Sequence, residues 1–256
     1  MLSIRDIAFR AWYWYVSKID KKSEVVFMNY GYSDEKEIEL DQKDEFNRYS
    51  IQLYNLLASA TEIKDKDIIE VGCGRGGGLS WVVENHKPKT AIGIDLNKKA
   101  TEFNNKNHKL NGLSFLQGDA QKLDMLEDNS VDAVFNVESS HRYPDFDAFL
   151  SQVHRVLRPG GHFLFTDFRF KEQVKNMEAS LEKSPLKMLK KQDTNDNAVK
   201  ALELNNDNRH KIVNKLTPTF LKKTALNFAG VIGSDTYNKF KNRDYIYYNY
   251  VFQKNQ

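Results

Sequence analysis

Ile68-Ile69-Glu70-Val71-Gly72-Cys73-Gly74-Arg75-Gly76-Gly77-Gly78 is the stretch that decides the fold. Its apolar start predicts a strand, and the glycines behind it let the backbone turn tightly and approach a ligand where a Cβ would clash. A helix predicted over residues 79–85 turns its unpaired N–H groups toward the same place. Strand, glycine turn and helix N-terminus together imply a nucleotide-like ligand. Gly72, Gly74 and Gly77 also satisfy the dinucleotide pattern G-x-G-x-x-G, so the turn alone leaves the cofactor open.

Outward from that turn, short apolar runs alternate with helical patterns between residues 67 and 167. Strands are predicted at 68–71, 90–94, 114–116, 131–135 and 162–166, and further helices at 98–110 and 146–156. Pro159-Gly160-Gly161 stops the last of these. Such alternation is the mark of βαβ units and a parallel sheet. Asp95 closes the second strand about twenty residues beyond the glycines, where a carboxylate accepts both hydroxyls of a ribose. NAD and S-adenosylmethionine (SAM) both fit to this point.

Gly118-Asp119-Ala120 after the third strand separates them. The order E-x-G-x-G-x-G from Glu70, an acid closing strand two, and G-D-A after strand three resembles the class I SAM-dependent methyltransferases. Val131-Asp132-Ala133-Val134-Phe135-Asn136 and Leu157-Arg158-Pro159-Gly160-Gly161 continue it, so the resemblance covers about residues 67–167. It implies an α/β, doubly wound, Rossmann-like fold with a mostly parallel seven-stranded sheet, an antiparallel C-terminal edge hairpin and a helical lid. It also implies SAM as cofactor and S-adenosylhomocysteine as product. Glu70 and Gly72 then lie near the methionyl end, Asp95 binds the ribose, and Asp119 accepts the adenine amino group. The backbone of Ala120 and Asn136 completes the pocket. Cys73, Gly74, Gly76, Leu96 and Glu138 join the cofactor-binding candidates.

Strand four is followed by Glu138-Ser139-Ser140-His141-Arg142-Tyr143-Pro144-Asp145, and strand five ends in Thr166-Asp167-Phe168. This resembles the small-molecule branch that includes sugar and polyketide O-methyltransferases, phthiotriol-type lipid O-methyltransferases and sterol C-methyltransferases. An alcohol or phenol acceptor must lose a proton as it is methylated, and an imidazole near neutrality suits that task. His141 is therefore the candidate general base, with Asp167 orienting it or binding the acceptor hydroxyl. The plain alternative is that His141 caps the following helix and Asp167 solvates a strand end. Phe27-Met28-Asn29-Tyr30-Gly31-Tyr32 resembles the aromatic stretch that folds over the cofactor in the same branch, which makes Tyr30 a candidate for the methionyl carboxylate.

The rest of the chain is expected to embellish one methyltransferase domain over residues 1–256. Residues 1–60 form an N-terminal helical and aromatic cap, in which Ile4, Ile7, Ala8, Ala11, Tyr15 and Ile19 recur at helical spacing. Residues 171–215 read as a helical lid. Over 217–256, Thr217 is the expected N-cap of a helix running to Phe228, and residues 231–237 and 245–252 read as the edge hairpin, an ordinary edge or a homodimer seam. In 256 residues, 38 Lys+Arg against 35 Asp+Glu leave a net charge of only +3, which argues against a dedicated nucleic-acid binder. The single cysteine gives neither a disulfide nor a metal cluster, so no metal is expected and a reducing, cytoplasmic setting is the default. No apolar run approaches the ~20 residues of a bilayer span. The expected partner is a small, apolar or amphipathic acceptor methylated on a hydroxyl or carboxyl oxygen. Carbon or nitrogen methylation, and a non-catalytic SAM-binding regulatory module, are the alternatives. The dehydrogenase reading leaves Asp119 and Leu157 to Gly161 as coincidences.

Overall fold

The structure, a computed structural model, describes residue 20 and residues 25–256. The expected N-terminal helix, with Trp12 to Tyr15, lies outside the described residues. Seven strands form one sheet: β1 (Asp67–Val71), β2 (Thr90–Asp95), β3 (Leu113–Gln117), β4 (Val131–Val137), β5 (Leu157–Phe170), β6 (Leu186–Asp193) and β7 (Tyr245–Lys254). Their spatial order is β3-β2-β1-β4-β5-β7-β6, with the first five parallel and β7 antiparallel to both β5 and β6. All five predicted core strands are present.

Side chains alternate between the faces of a strand, so a central strand buried on both sides must be apolar throughout. Ile68, Ala133, Phe135 and Leu164 point to one face. There they meet Leu53 and Leu57 of α1 (Arg48–Ala58) and Leu79 and Val82 of α2 (Gly77–His86). Ile69, Val134, Phe163 and Phe165 point to the other, against Phe149 and Val153 of α4 (Phe146–Val156) and Met177 and Leu181 of α5 (Lys171–Lys183). Burying each such side chain stabilises by ~1.5–3 kcal/mol. α3 (Lys98–Asn107) connects β2 to β3 and starts at Asn97, whose side chain accepts the Lys99 N–H. Strand order reverses between β1 and β4, and in such sheets the ligand crevice opens at the carboxyl ends of those strands.

Two expectations about the periphery are corrected. The partner of β7 is β6, not residues 231–237. Gly230, at φ +64, ends the helix before that segment, and the Ser234 side chain caps the N-terminus of α9 (Asp235–Lys241), so a loop and a helix stand where a strand was read. β6 was hidden because an edge strand with lysines on its open side loses the apolar alternation of a strand. The helical lid expected over residues 171–215 is helical cap only in its second half. α5 packs into the core, and the cap comprises α6 (Asn195–Leu204), α7 (Asn206–Leu216), α8 (Lys222–Ala229) and α9, inserted between β6 and β7. Thr217 ends α7 instead of starting α8, and its side chain makes no capping bond.

Gly78 shows how closely this scaffold is fitted. It sits in the first turn of α2, and a Cβ there would fall inside the Tyr54 ring. Alanine is the better helix former by ~1 kcal/mol, so any loss on Gly78→Ala measures the clash alone. Urea unfolding of Gly78→Ala is expected to show a loss of ~1–3 kcal/mol, as for an overpacked core. An unchanged or raised midpoint would mean that the ring moves aside freely.

Candidate active site

The glycine turn after β1 is held by its own backbone. Gly72 and Cys73 donate to Ile94 O at 2.7 and 3.1 Å, and Gly72 and Gly74 take φ of +78 and +54. A Cβ on Gly72 would run into Ser139 and lie 2.8 Å from the Tyr143 hydroxyl, so glycine allows the turn and the loop after β4 to meet. Gly76 (φ +75) ends the turn against Phe115. Cys73 is buried, and burial pushes its thiol well above the ordinary range. Its side chain therefore packs, and only its backbone is left to face a ligand.

Asp95 ties the strand tips together. Its carboxylate accepts the Gly74 N–H at 2.9 Å and the Asn97 N–H at 2.8 Å, and its own carbonyl accepts the Gly118 N–H at 3.0 Å. Burial raises its pKa against those two donors. Asp119 follows directly, accepting the Gln121 N–H at 2.9 Å, with Ala120 buried behind it and Leu96 exposed at the rim. Gly74, Asp95 and Asp119 thus stand together at the tips of β1, β2 and β3. Glu70 is fully buried under the turn and accepts the Tyr54 hydroxyl at 2.6 Å through Oε1; Oε2 has no partner. Burial pushes it up to about 7, the Tyr54 bond opposing. Asn136 spends its side-chain amide on Val71 O (2.9 Å) and Ser139 Oγ (2.8 Å), which ties β4 to the turn after β1. Positive-φ glycines, a ribose-reaching acid and a second acid at the next strand tip fit an adenosyl nucleoside.

Beyond β4 the chain carries Glu138 and His141, two of the candidate site residues. Glu138 has φ +46, a conformation side chains rarely adopt, and its carboxyl accepts the Tyr30 N–H at 2.8 Å and the Tyr247 hydroxyl at 2.6 Å. Burial lifts it to about 8, despite the Tyr247 and Tyr30 bonds. Tyr30 engages Glu138 through its backbone, while its ring packs on Phe168 and Phe240 at 5.5 and 4.9 Å.

His141 sits in a one-turn helix, Ser140–Arg142, and Asp145 rather than His141 caps α4. Its Nδ1 lies 2.8 Å from Asp167 Oδ1, its N–H donates to Oδ2 at 2.9 Å, and its ring lies 4.5 Å from Phe168. Nε2 is buried and has no hydrogen-bond partner. Burial lowers the His141 pKa, with the Asp167 charge opposing. Asp167 also accepts the Ser140 hydroxyl (2.7 Å) and the Phe168 N–H (2.8 Å), and it pairs with Arg169 Nη1 at 2.9 Å. Burial acts to raise its pKa, but Arg169 and His141 together hold it far below the usual carboxylate range. With its oxygens committed inward, Asp167 orients His141 and has no face left for an acceptor. Ser140 and Arg169 escaped the sequence reading. Arg169 was findable, because residues two apart on a strand share a face.

Residues 69–165 match a family described as "Methyltransferase domain". A fatty-acid O-methyltransferase of Mycolicibacterium smegmatis is 44% identical over 212 residues, 82% of this chain and 77% of that protein. A phthiotriol/phenolphthiotriol dimycocerosates methyltransferase of Mycobacterium tuberculosis is 35% identical over 248 residues, 96% and 92% of the two chains. Among solved structures, the [4+2]-cyclase SpnF superposes with a TM-score of 0.70 at 18% identity, covering 96% of this chain and 94% of that one. The cyclopropane synthase MmaA2 of Mycobacterium tuberculosis gives 0.71 at 11% identity, covering 94% and 98%. At such identities these two structures share the fold. With motifs, sheet order and close relatives in agreement, the chain belongs to the class I SAM-dependent methyltransferases.

Proposed function

We propose that this methyltransferase acts on an oxygen of a lipid-like acceptor, a hydroxyl or a carboxyl, with His141 as general base. The names of the two close relatives, a fatty-acid and a phthiotriol enzyme, support the acceptor class. One observation carries the mechanism: Asp167 occupies His141 Nδ1, while Nε2 is buried, unpartnered and backed by Phe168. That arrangement fixes the tautomer with its lone pair on Nε2.

Glu70, Gly72, Cys73, Gly74, Gly76, Asp95, Leu96, Asp119, Ala120, Asn136 and Glu138, with Tyr30 at the rim, would hold the cofactor. SAM, when bound, supplies a methyl group on a sulfonium, open to in-line displacement. Holding the acceptor in line and excluding water then provides much of the acceleration. His141 Nε2 takes the proton that the acceptor oxygen loses. A carboxylic acid in a dry pocket also needs this, since desolvation raises its pKa and keeps it protonated. The resulting imidazolium is stabilised by Asp167, which stays ionised because Arg169 and its hydrogen bonds anchor its charge.

His141→Gln is expected to lower kcat by at least ~10²-fold with SAM affinity within about twofold. Isotope-labelled methyl transfer to long-chain acids and alcohols measures this, and mild base hydrolysis separates ester from ether products. Turnover retained by the variant overturns the assignment. The pH profile carries a further expectation. The base must be neutral and its pKa is shifted down from 6.5, so kcat should rise with pH along a limb lying below 6.5 and stay level through neutrality. Asp95→Asn should act on the other substrate. Losing a charged hydrogen-bond acceptor costs ~1.5–3 kcal/mol, so calorimetry should show SAM binding weakened by at least ~10-fold. Unchanged affinity would remove Asp95 from the ribose site.

A further inference from the structure

A cavity of about 150 Å³ lies between the segment 25–30 and helices α7 and α8. Its walls are mostly apolar, with Phe27, Ile212, Val213, Leu216, Ala225 and Phe228 among them, and no Asp or Glu lines it. Three residues that line this cavity each hold a buried side-chain atom with no hydrogen-bond partner: Arg209 Nε, Thr217 Oγ1 and Asn29 Oδ1. Unpaired polar atoms cost ~1–3 kcal/mol each, so three around one cavity call for a ligand that pairs them.

Arg209 sets the character of that ligand. Its Nη1 donates to Ala229 O at 2.7 Å, and its Nη2 to Tyr30 O at 2.9 Å and Asn29 O at 3.3 Å. These bonds clamp the guanidinium between the segment 25–30 and the cap, yet all three acceptors are neutral. No carboxylate of a described residue forms an ion pair with Arg209, and residues 208–234 contain five Lys or Arg and no Asp or Glu. Glu138 is the acid whose charge reaches Arg209, but its carboxyl is engaged by Tyr30 and Tyr247, so the guanidinium has no carboxylate in direct contact. Nε–H and the Thr217 hydroxyl are both donors, and a carboxylate accepts from both. Asn29 Oδ1 is an acceptor and takes a water or a hydroxyl of the ligand.

We infer that this cavity receives the carboxylate head and first methylenes of an acyl chain, paired with Arg209 Nε and Thr217 Oγ1. The inference rests on the lipid-like acceptor proposed above and narrows it to a lipid that carries a carboxylate apart from the oxygen that is methylated. Volume agrees, since about 150 Å³ equals roughly five waters of liquid, enough for a carboxylate and a short run of chain. Position agrees as well. The Tyr30 carbonyl that holds Arg209 belongs to the residue whose N–H binds Glu138, so the cation stands one residue away from the tip of β4.

Calorimetry with decanoate and with 1-decanol, on full-length protein saturated with S-adenosylhomocysteine, tests it. The wild type should bind decanoate at least ~10-fold more tightly than decanol. Arg209→Gln should abolish that preference, and Thr217→Val should reduce it ~5-fold, as for one neutral hydrogen bond. Both variants should leave decanol and S-adenosylhomocysteine affinities within about twofold. Equal binding of acid and alcohol by the wild type overturns the inference, and so does a preference that survives Arg209→Gln. Should Arg209→Gln fail to fold, the wild-type comparison and Thr217→Val decide. Failure of the lipid O-methylation reading looks different: decanoate is bound with preference, but no methyl is transferred to any acid or alcohol offered.

Discussion

A carboxylate with no access to water must receive all its partners from the protein, and Asp167 imposes that condition on everything around it. Five donors converge on it: the Ser140 hydroxyl, the His141 N–H and ring nitrogen, the Phe168 N–H and the Arg169 guanidinium. Removing any one partner of a buried charge costs far more than a surface pair is worth, because the charge left behind stays desolvated. The loop after β4 is thereby folded onto the tip of β5. His141 has no freedom to turn its ring, and the nitrogen left over faces away from the carboxylate. The ring orientation on which the proposed general base depends is a by-product of satisfying a buried anion.

A second linkage runs through backbone atoms. The Tyr30 N–H binds Glu138 and the Tyr30 carbonyl binds Arg209, so one peptide segment joins the tip of β4 to helix α7 of the cap. Arg75 does the same at the other end of the cleft. From within the glycine turn it donates to Val25 O at 2.6 Å and pairs with Asp20 at 2.8 Å, both side chains fully buried. The segment before α1 is therefore tied to both ends of the cleft by groups belonging to the site itself. Covering the cleft and building it are one event, which suits a reaction that must exclude water.

The core was legible because its physics is local. A parallel strand buried on both faces is an unbroken apolar run, a glycine turn is spelled out residue by residue, and strand-end acids fall at fixed offsets. Gly74 and Asp95 are hydrogen-bonded, and Asp95 O takes the N–H of Gly118 beside Asp119, so the spaced motifs stand together at the strand tips. His141 and Asp167 were found from motifs, although their hydrogen bond spans 26 residues of sequence. Arg209 was invisible. A lone arginine in a lysine-rich segment looks like a solvated face, and only the fold reveals that its Nε is sealed. β6 was missed for the related reason that exposed lysines on an edge strand erase its alternation.

This division follows where each part meets water. The core answers to the cofactor, whose shape is constant, so its residues sit in the regular positions of strands and turns. The cap's helices carry short, interrupted apolar patterns because each buries one narrow side, α6 and α9 against the core and α7 and α8 beside the cavity. Thr217 shows the consequence. As a threonine before Pro218 it carries the signature of a helix start, yet its hydroxyl is buried against the cavity and caps nothing. A side chain that breaks a local rule without local compensation is answering a longer-range demand. At Thr217, as at Arg209, the group that satisfies that demand comes from outside the chain.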